Sequence, residues 1–578
     1  MSPALPAPLD NKTVARTLLE IADLLELKGD NPFKIRAYRN AADVVSHAAE
    51  AVSSLDEAGL RGWDGIGRDL AARIREIALT GDCGIRRELL TEFPATLLDV
   101  LRLQGVGPKT VAILYRELRI TSLDDLAEAA KAGRIRAIKG MGRKKEQLIL
   151  QSIDERQRFA GRHLLSRATE MADSLVAYLK EHAPAADIAT VGSVRRGNET
   201  SGDLDILASG ADSTLADALT RFPLVERVLA NGGSKASILI RGGFQADLRI
   251  VTPDQRGAAL QYFTGSKAHN IALRDRALAR GWKLNEYGLF DADDRPIAGA
   301  TEEEIYHALG LDFIEPELRE NRGELDAAAG HTLPRLITRA DLKGDLHMHT
   351  TESDGRDSLA AMAGAATARG LEYIAITDHS QSLTMANGLD ESRAAANAER
   401  IRAHSKTLKG ITVLAGIECD ILADGSMDLA DDCLAALDIV VASIHSALTQ
   451  DEGEMTDRVI KAIEHPSVDV IGHLTARMLL RREGTRVNVE RVIDAARANG
   501  VALEINSQPH RLDLCDSHAR LARDRGVKLI IDSDAHEIDA LDYPRWGVLT
   551  ARRAWLTKDD VINTRPLKAF LAGLRRNR

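Results

Sequence analysis

Gly192-Ser193-Val194-Arg195-Arg196-Gly197, followed closely by Gly202-Asp203-Leu204-Asp205-Ile206-Leu207, decides the reading of this chain. The first stretch predicts a tight, glycine-bounded turn carrying one hydroxyl and two guanidinium groups. Such a turn can offer backbone N–H donors, a hydroxyl and positive charge to phosphates. The second stretch predicts a strand, on which Asp203 and Asp205 share one face. Two carboxylates on one face repel each other unless a cation sits between them. Further on, Ser237 to Arg241 and Phe244 to Val251 flank Gly242-Gly243 and predict a hairpin, with Asp247 on its second strand. Three carboxylates near a phosphate-holding turn suit two-metal phosphoryl or nucleotidyl transfer, in which the metals align nucleophile and leaving group and neutralise developing charge. Alone, an Asp-x-Asp pair is more often a solvated strand end. The order of the pieces makes the pattern specific.

That pattern resembles the palm of family X DNA polymerases, members of the nucleotidyltransferase superfamily. The resemblance implies that Asp203, Asp205 and Asp247 ligate two magnesium ions, the third also assisting deprotonation of the primer 3′-hydroxyl. It implies that Gly192, Ser193, Arg196 and Gly202 surround the triphosphate. Gln261-Tyr262-Phe263-Thr264-Gly265-Ser266-Lys267 follows at the family's place for Tyr-Phe-Thr-Gly-Ser. Tyr262, Phe263 and Gly265 would line the sugar pocket, and Asn270 and Arg274 would face the minor-groove edge of the nascent pair. Trp282 to Leu289 resembles the family's Asn-Glu-Tyr-Gly-Leu strand. Lys267 departs from members that carry an acid there.

The chain has 578 residues, enough for several cores. Hydrophobic residues make up 44%, the formal net charge is −10 and the isoelectric point is about 5.9, which excludes a nucleic-acid binder driven by bulk positive charge. Cys83, Cys419, Cys433 and Cys515 stand far apart and read as ordinary thiols of a reducing compartment. No apolar run approaches membrane-spanning length. No membrane partner is expected, and the family resemblance implies a monomer in the bacterial cytoplasm, associated with the nucleoid.

Residues 11 to 80 predict helices, and Asn31-Pro32-Phe33-Lys34 opens the second of them. A Gly-x-Gly turn leading into a helix then recurs, at Gly65-Ile66-Gly67, Gly105-Val106-Gly107-Pro108-Lys109 and Gly140-Met141-Gly142-Arg143-Lys144-Lys145. Glycine caps before helices are common, but three copies so close together resemble helix-hairpin-helix motifs. These let backbone N–H groups approach DNA phosphates without reading sequence. Gly65, Gly67, Gly105, Gly107, Lys109, Gly140, Gly142 and Lys144 are the expected DNA contacts, with Lys34 near a 5′-phosphate. Where some family X members carry a lyase lysine, this chain has Arg73, which stays protonated and cannot form a Schiff base.

Residues 315–342 show charges, glycines and little periodicity, and predict an inter-domain linker. Beyond it, short apolar runs at Tyr373–Ile376, Val413–Gly416, Ile439–Ala442, Val468–Ile471, Val501–Leu503 and Lys528–Ile531 alternate with helical stretches, predicting a parallel, barrel-like sheet. Metal-capable residues stand at the strand ends, where such barrels gather their active sites: His347, His349, Asp354, Asp378 with His379, Glu418, His445, His473, Asp534 and His536. Mixed imidazole and carboxylate donors suit zinc or manganese. The set resembles the PHP (polymerase and histidinol phosphatase) domain, a seven-stranded barrel with about three metals. The family's nine ligand positions map onto His347, His349, Asp354, His379, Glu418, His445, His473, Asp534 and His536. None is substituted, so an active centre holding Mn2+ or Zn2+ is expected.

The resemblance covers nearly the whole chain and predicts a multidomain protein. Residues 1–85 would be a small helical DNA-binding domain, 86–158 a helix-hairpin-helix subdomain, 159–255 an α+β palm and 256–320 a thumb-like nucleotide-selection subdomain. Residues 321–341 would be a linker and 342–578 the PHP (β/α)7 barrel. The implied function is a repair polymerase that fills short gaps, as in base excision repair, using gapped or primer-template DNA and dNTPs. The barrel would act as a 3′–5′ exonuclease, with AP-endonuclease or 3′-phosphatase action besides. Two alternative readings are a polymerase fused to a phosphatase for a small phosphoester, and a non-catalytic DNA-binding scaffold.

Overall fold

A computed structural model describes residues 11–48, 51–63, 65–101, 103, 106–159 and 161–574. The chain divides into two compact units, residues 1–160 and 161–578.

The described part of the first unit is helical. Asn31 caps the helix Pro32–His47 by accepting from the Phe33 N–H, with Pro32 at its start. Ser122 and Asp125 form a reciprocal cap on the helix Leu123–Lys131. One hydrophobic core runs through the unit, from Leu18, Ile21 and Ile74 to Val111, Leu126 and Ile149. The expected boundary between residues 85 and 86 therefore falls inside a single core. Apolar residues on both sides of it need each other to be covered.

The second unit begins with β1 (His163–Leu164), which pairs with β3 (Thr200–Ser201). A five-stranded sheet follows, built from β2 (Asp187–Thr190), β4 (Asp203–Ser209), β5 (Val225–Gly232), β6 (Lys235–Ile240) and β7 (Phe244–Val251) in the order β2-β4-β7-β6-β5. The hairpin β6–β7 forms as expected and turns at Gly242 and Gly243, both at positive φ. The stretch expected as a turn at residues 192–197 is instead a one-turn helix, Gly192–Arg195, closed by the Arg196 N–H donating to the Gly192 carbonyl. Gly192 enters it at φ +68, and a Cβ there would lie 2.3 Å from Asp205 Oδ2. Glycine is required at this point because the chain passes directly over the carboxylate.

Helices Arg256–Thr264 and Lys267–Leu278, with β8 (Lys283–Asn285), β9 (Gly288–Phe290), β10 (Pro296–Ala298) and the helix Glu302–Ala308, make the next layer. Its core contains Leu273, Leu289, Tyr306 and Leu318, and also Ala328 and Leu336. Residues 321–341 are thus not a free linker. Glu324 is fully buried, accepts from the Asn321 and Arg322 N–H groups, and lies 2.7 Å from His269 Nδ1. Ile337 already belongs to the barrel core and donates its N–H to the Leu556 carbonyl. Buried polar bonds and scattered apolar contacts, rather than one continuous apolar stripe, hold the segment, so it lacks periodicity.

The rest of the unit is a parallel, nearly closed barrel of β11 (Gly344–Asp345), β12 (Tyr373–Ile376), β13 (Thr412–Asp420), β14 (Ile439–Ser443), β15 (Val470–Ile471), β16 (Ala502–Asn506) and β17 (Leu529–Asp532), paired in that order. A bridge between Met348 and Ala535 closes the ring, and the His349 N–H donates to the Ala535 carbonyl at 2.8 Å. All seven strands enter from one end, so their C-terminal ends collect at one mouth.

The five-stranded sheet and the helical layer that follows it meet over a buried charge cluster. Glu302 accepts from Arg195 Nη2 at 2.6 Å and from the fully buried Arg319 Nη1 at 2.6 Å. Burial favours protonation of Glu302, but the two guanidinium groups outweigh it and hold its pKa below the usual value. Removing the shared anion leaves two cations unpaired. Glu302→Ala is expected to destabilise the second unit by about 3–5 kcal/mol, read as a loss of melting temperature in thermal denaturation; an unchanged melt would show that the cluster is not a structural joint.

Candidate active sites

β4 and β7 run parallel with Asp205 directly opposite Asp247, and this register alone brings the third carboxylate to the first two. Asp203, Asp205 and Asp247 form one group whose ligand oxygens lie within 4.8 Å of one another. Ser237 and Gln245 donate to Asp247, orienting it. Burial, and then the Asp203 and Asp247 carboxylates, push Asp205 up to about 7.

The group borders a cavity of about 690 Å³. Of the residues expected to bind nucleotide, Gly192, Ser193, Arg196, Tyr262, Phe263, Gly265, Asn270 and Arg274 line it, while Gly202 does not. Lys267 and Gln261 line it as well. Ser193 Oγ is 2.7 Å from Ser201 Oγ, and Asn270 donates to the Tyr262 carbonyl at 2.7 Å while accepting from Gln261. Gly265 sits at φ +70, and a Cβ there would stand 3.2 Å from Arg196 Nη1. The two neighbouring arginines diverge: Arg195 turns inward to Glu302, whereas Arg196 faces the cavity.

At the barrel mouth one carboxylate is the hub. Glu418 Oε2 lies 2.9 Å from His379 Nδ1, 3.3 Å from His347 Nε2 and 3.6 Å from His349 Nε2. Its Oε1 lies 3.0 Å from His473 Nε2 and 3.4 Å from His445 Nε2. Asp354 stands 3.5 Å from His536 and 3.6 Å from His379, and Asp534 lies 3.2 Å from His349 Nε2. All nine expected positions therefore meet. Eight of them fall into three overlapping groups, Asp354 with His349, His379 and His536, Asp534 with His347 and His349, and Glu418 with His379 and His445; His473 joins through Glu418.

Charge at this mouth is divided unevenly. Burial raises Glu418, but His347, His379 and His445 together hold it well below the usual carboxylate value. Burial, His536 and His379 push His349 down to about 3. Burial opposes charge on His445, yet Glu418 and Asp420 lift it to about 10. His347 Nε2, both ring nitrogens of His349 and both oxygens of Glu418 are buried without hydrogen-bond partners. Buried lone pairs and N–H groups left this way are costly, and convergent imidazole and carboxylate atoms are a fitting donor set for divalent cations.

Some residues at this mouth were not singled out from sequence. Glu504 lies 2.7 Å from His347 Nδ1 and accepts from the His473 N–H. Asp420 lies 2.5 Å from His445 Nδ1. Their signal is a carboxylate on the inward face of a buried strand, in Ala-Leu-Glu-Ile-Asn and Ile-Glu-Cys-Asp. Asp378, noted beside His379, is no ligand candidate: it accepts from Thr350, Ser353 and Asn397.

In the first unit the three hairpins share one geometry. The N–H groups of Ile66, Val106 and Met141 donate to the carbonyls three residues earlier, of Trp63, Leu103 and Ile138, and all three side chains are buried. Gly67 and Gly107 cap the following helices. A Cβ at Gly65, Gly67, Gly107, Gly140 or Gly142 would meet nothing within 4 Å, so these glycines keep an outer face open. Gly105 lies outside the described residues. Lys109 and Lys144 are exposed, and Lys34 is paired with Asp30 at 3.0 Å.

Comparison with known proteins accords with this geometry. Residues 9–83 match a helix-hairpin-helix domain family and 97–155 a SAM-like helix-hairpin-helix tandem. Residues 166–241 match the DNA polymerase beta palm, 259–320 the DNA polymerase beta thumb and 345–508 the PHP domain. The DNA polymerase/3′-5′ exonuclease PolX of Bacillus subtilis (strain 168) is 37% identical over 573 residues, 98% of this chain and 100% of that one. The chain belongs to the family X DNA polymerases that carry a PHP domain. DNA polymerase lambda of Arabidopsis thaliana is 25% identical over 49% of the chain and 57% of its own length. A probable phosphatase of Acetivibrio thermocellus is 30% identical over 28% of the chain and 64% of its own length. Like its family, this polymerase depends on divalent metal ions. The palm and PHP matches end at 241 and 508, so Asp247, Asp534 and His536 lie beyond them, and the fold brings all three to their sites.

Two outcomes follow from the charge balance. Asp205 ionises in the ordinary carboxylate range in the unfolded chain but only near 7 in the metal-free fold, so its cost to the fold begins in the carboxylate range, grows as pH rises and is complete above about 7. Asp205→Asn is expected to raise the melting temperature of chelated protein at pH 8, to raise it less at pH 5, and to leave it unchanged near pH 3, where Asp205 is protonated in both the folded and the unfolded chain. Glu504→Ala removes the partner that orients His347. Bound metal per chain, measured by elemental analysis, and 3′–5′ exonuclease rate are expected to fall, the rate by about 10–100-fold.

Proposed function

We propose that the Asp203–Asp205–Asp247 site adds dNMPs to a primer 3′ end in short gaps, and that the barrel mouth removes nucleotides from 3′ ends. As a PHP-carrying family X member the chain is a DNA polymerase and a 3′–5′ exonuclease, and a repair role accords with that pairing. The single observation that carries the palm reading is the enforced convergence of three carboxylates beside a cavity lined by Ser193, Arg196 and Arg274.

In this reading Asp203, Asp205 and Asp247 would hold two Mg2+ ions, which would supply alignment of the reacting groups and neutralisation of the charge that develops as dNMP is transferred and pyrophosphate leaves. The other roles belong to the chain. Ser193 and Arg196 bind the triphosphate. Tyr262, Phe263 and Gly265 hold the sugar against the backbone, and Asn270 and Arg274 test the minor-groove edge of the pair. Asp247, oriented by Ser237 and Gln245, stands ready to accept the proton of the 3′-hydroxyl.

At the barrel, His347, His349, Asp354, His379, Glu418, His445, His473, Asp534 and His536 would hold about three Mn2+ or Zn2+ ions. Glu504 and Asp420 fix the imidazoles of His347 and His445 from behind. AP-endonuclease or 3′-phosphatase action is the same phosphoester chemistry on a different leaving group. The hairpins, with Lys34, Lys109 and Lys144, bind gapped or primer-template DNA through its backbone. Arg73 cannot serve as a Schiff-base nucleophile, so no lyase step is assigned. No helix among the described residues is long and apolar enough to cross a membrane. We take the enzyme to act as a monomer on the bacterial nucleoid.

The match of the barrel to probable phosphatases gives a second reading, hydrolysis of a small phosphoester. A 5′-labelled primer on a one-nucleotide gap separates them, with Asp203→Ala and His349→Ala beside the parent and Mg2+ or Mn2+ present. Extension is expected to vanish only in the first variant and shortening only in the second, each by at least about 10²-fold. Shortening that survives His349→Ala, with loss of phosphate release from small esters, would move the barrel to the second reading.

A further inference from the structure

The glycine that ends the palm's phosphate-facing segment abuts the barrel. Gly197 sits at φ +66, and a Cβ there would lie 3.3 Å from the Leu549 side chain. Leu549 and Arg553 are one turn apart on the barrel helix Pro544–Arg553, so they face the same way. Arg553 Nη1 donates to the Arg196 carbonyl at 2.9 Å and to Glu320 Oε1 at 2.9 Å. Arg196 Nε donates to that same oxygen at 3.0 Å. Arg553 Nη2 lies 3.0 Å from Asp516 Oδ2, which also accepts from Arg322 Nη1. Burial would raise Asp516, but Arg553 and Arg322 outweigh it and hold it below the usual value. The result is an alternating row, Arg196–Glu320–Arg553–Asp516–Arg322, that starts in the palm and runs into the barrel.

From this row we infer that Arg553, a barrel residue, is a positioning residue of the polymerase site: by sharing Glu320 it keeps the Arg196 guanidinium available to the incoming triphosphate. The inference rests on the reading of Arg196 as a triphosphate ligand. Glu320 carries one negative charge and Arg196 is largely buried beside it, 12% exposed at the side chain. A private Arg196–Glu320 pair in such surroundings would be close to neutral and hard to separate. A triphosphate entering the cavity would then have to take Arg196 away from Glu320. Arg553 weakens that grip by giving the same oxygen a second cation, and its bond to the Arg196 carbonyl keeps the main chain in place while the side chain turns to phosphate. Lysine at 553 would retain the charge but could not span the Arg196 carbonyl, Glu320 and Asp516 together.

The test uses the full chain on one-nucleotide-gapped DNA with Mg2+, measuring KM for the dNTP, kcat, and shortening of a 5′-labelled single strand. Arg553→Met is expected to raise KM about tenfold with kcat within about twofold, the pattern of lost ground-state binding. Arg553→Lys should fall between this and the parent. The deciding variant is Arg553→Met with Glu320→Gln, in which KM should return to within about twofold of the parent because the competing anion is gone. A structural defect in the barrel helix would not be repaired by removing Glu320. Shortening should be unchanged throughout. If Arg196→Ala raises KM and Arg553→Met does not, or if the double variant stays impaired, the positioning role is wrong and the triphosphate reading stands. If Arg196→Ala leaves KM unchanged, the triphosphate reading itself fails, and this inference with it. Should Arg553→Met melt early, Glu320→Gln alone decides: KM at or below the parent's supports the inference, and a rise overturns it.

Discussion

The parallel ladder between β4 and β7 is the constraint on which the polymerase half depends. Backbone hydrogen bonds set Asp205 opposite Asp247, and strand alternation sets Asp203 beside them. Neither carboxylate can move away without breaking the sheet. The cost appears in Asp205, pushed up to about 7 first by burial and then by its two neighbours. A site whose like charges are held together by the fold binds cations without first having to collapse around them. The same constraint explains Gly192, because the one-turn helix that carries Ser193 and Arg196 must cross directly over Asp205.

The barrel solves a related problem with mixed charges. Glu418 is fully buried and faces five imidazoles within 3.6 Å, so in the absence of metal its charge is balanced by protons on some of them and denied to others. His445 is held near 10 while His349 falls to about 3. Divalent cations entering this mouth displace those protons, so occupancy there is linked to pH, as it is at the palm through Asp205. Glu504 and Asp420 lie behind the imidazoles rather than among the ligand groups. Their position lets the strands, not the loops, decide where the rings point.

Both sites were legible in the sequence to the extent that their ligands sit at strand ends or alternate along a strand. Asp203 and Asp205, His347 and His349, and Asp534 and His536 are each two apart, so spacing alone reports a shared face. Glu504 offers only the signal of a carboxylate inside an apolar strand, with no spacing partner, and its role comes from His347, far away in the chain. The one-turn helix at Gly192–Arg195 was read as a turn because a single turn of helix is too short for periodicity. Residues 321–341 were read as a linker for a related reason. Glu324 binds the N–H groups of its own entry turn and a buried histidine, and Arg319 is buried whole. Buried polar bonding looks like solvent exposure in a hydropathy pattern. The single core that runs across residue 85 was not legible either, because core apolar residues on both sides look alike in sequence, whichever partner covers them.

The adjacent arginines 195 and 196 show how the two halves are held as one unit. Arg195 is spent on the interior, donating to Glu302 and to Thr264 at the end of the helix Arg256–Thr264. Arg196 donates to the Thr264 carbonyl from the cavity side. Palm and thumb are thus tied at one residue by two cations of opposite orientation. On the barrel side, Arg477 reaches Glu199 at 2.7 Å and Arg553 reaches Arg196. The segment from 195 to 199 is therefore fixed from three directions by charged groups. Apolar contacts could hold it as strongly, since buried ion pairs gain little over well-packed hydrocarbon. They could not hold it in register, because apolar surfaces slide, whereas a guanidinium shared among named oxygens has one best position. Register is what a triphosphate site needs, and the barrel supplies part of it.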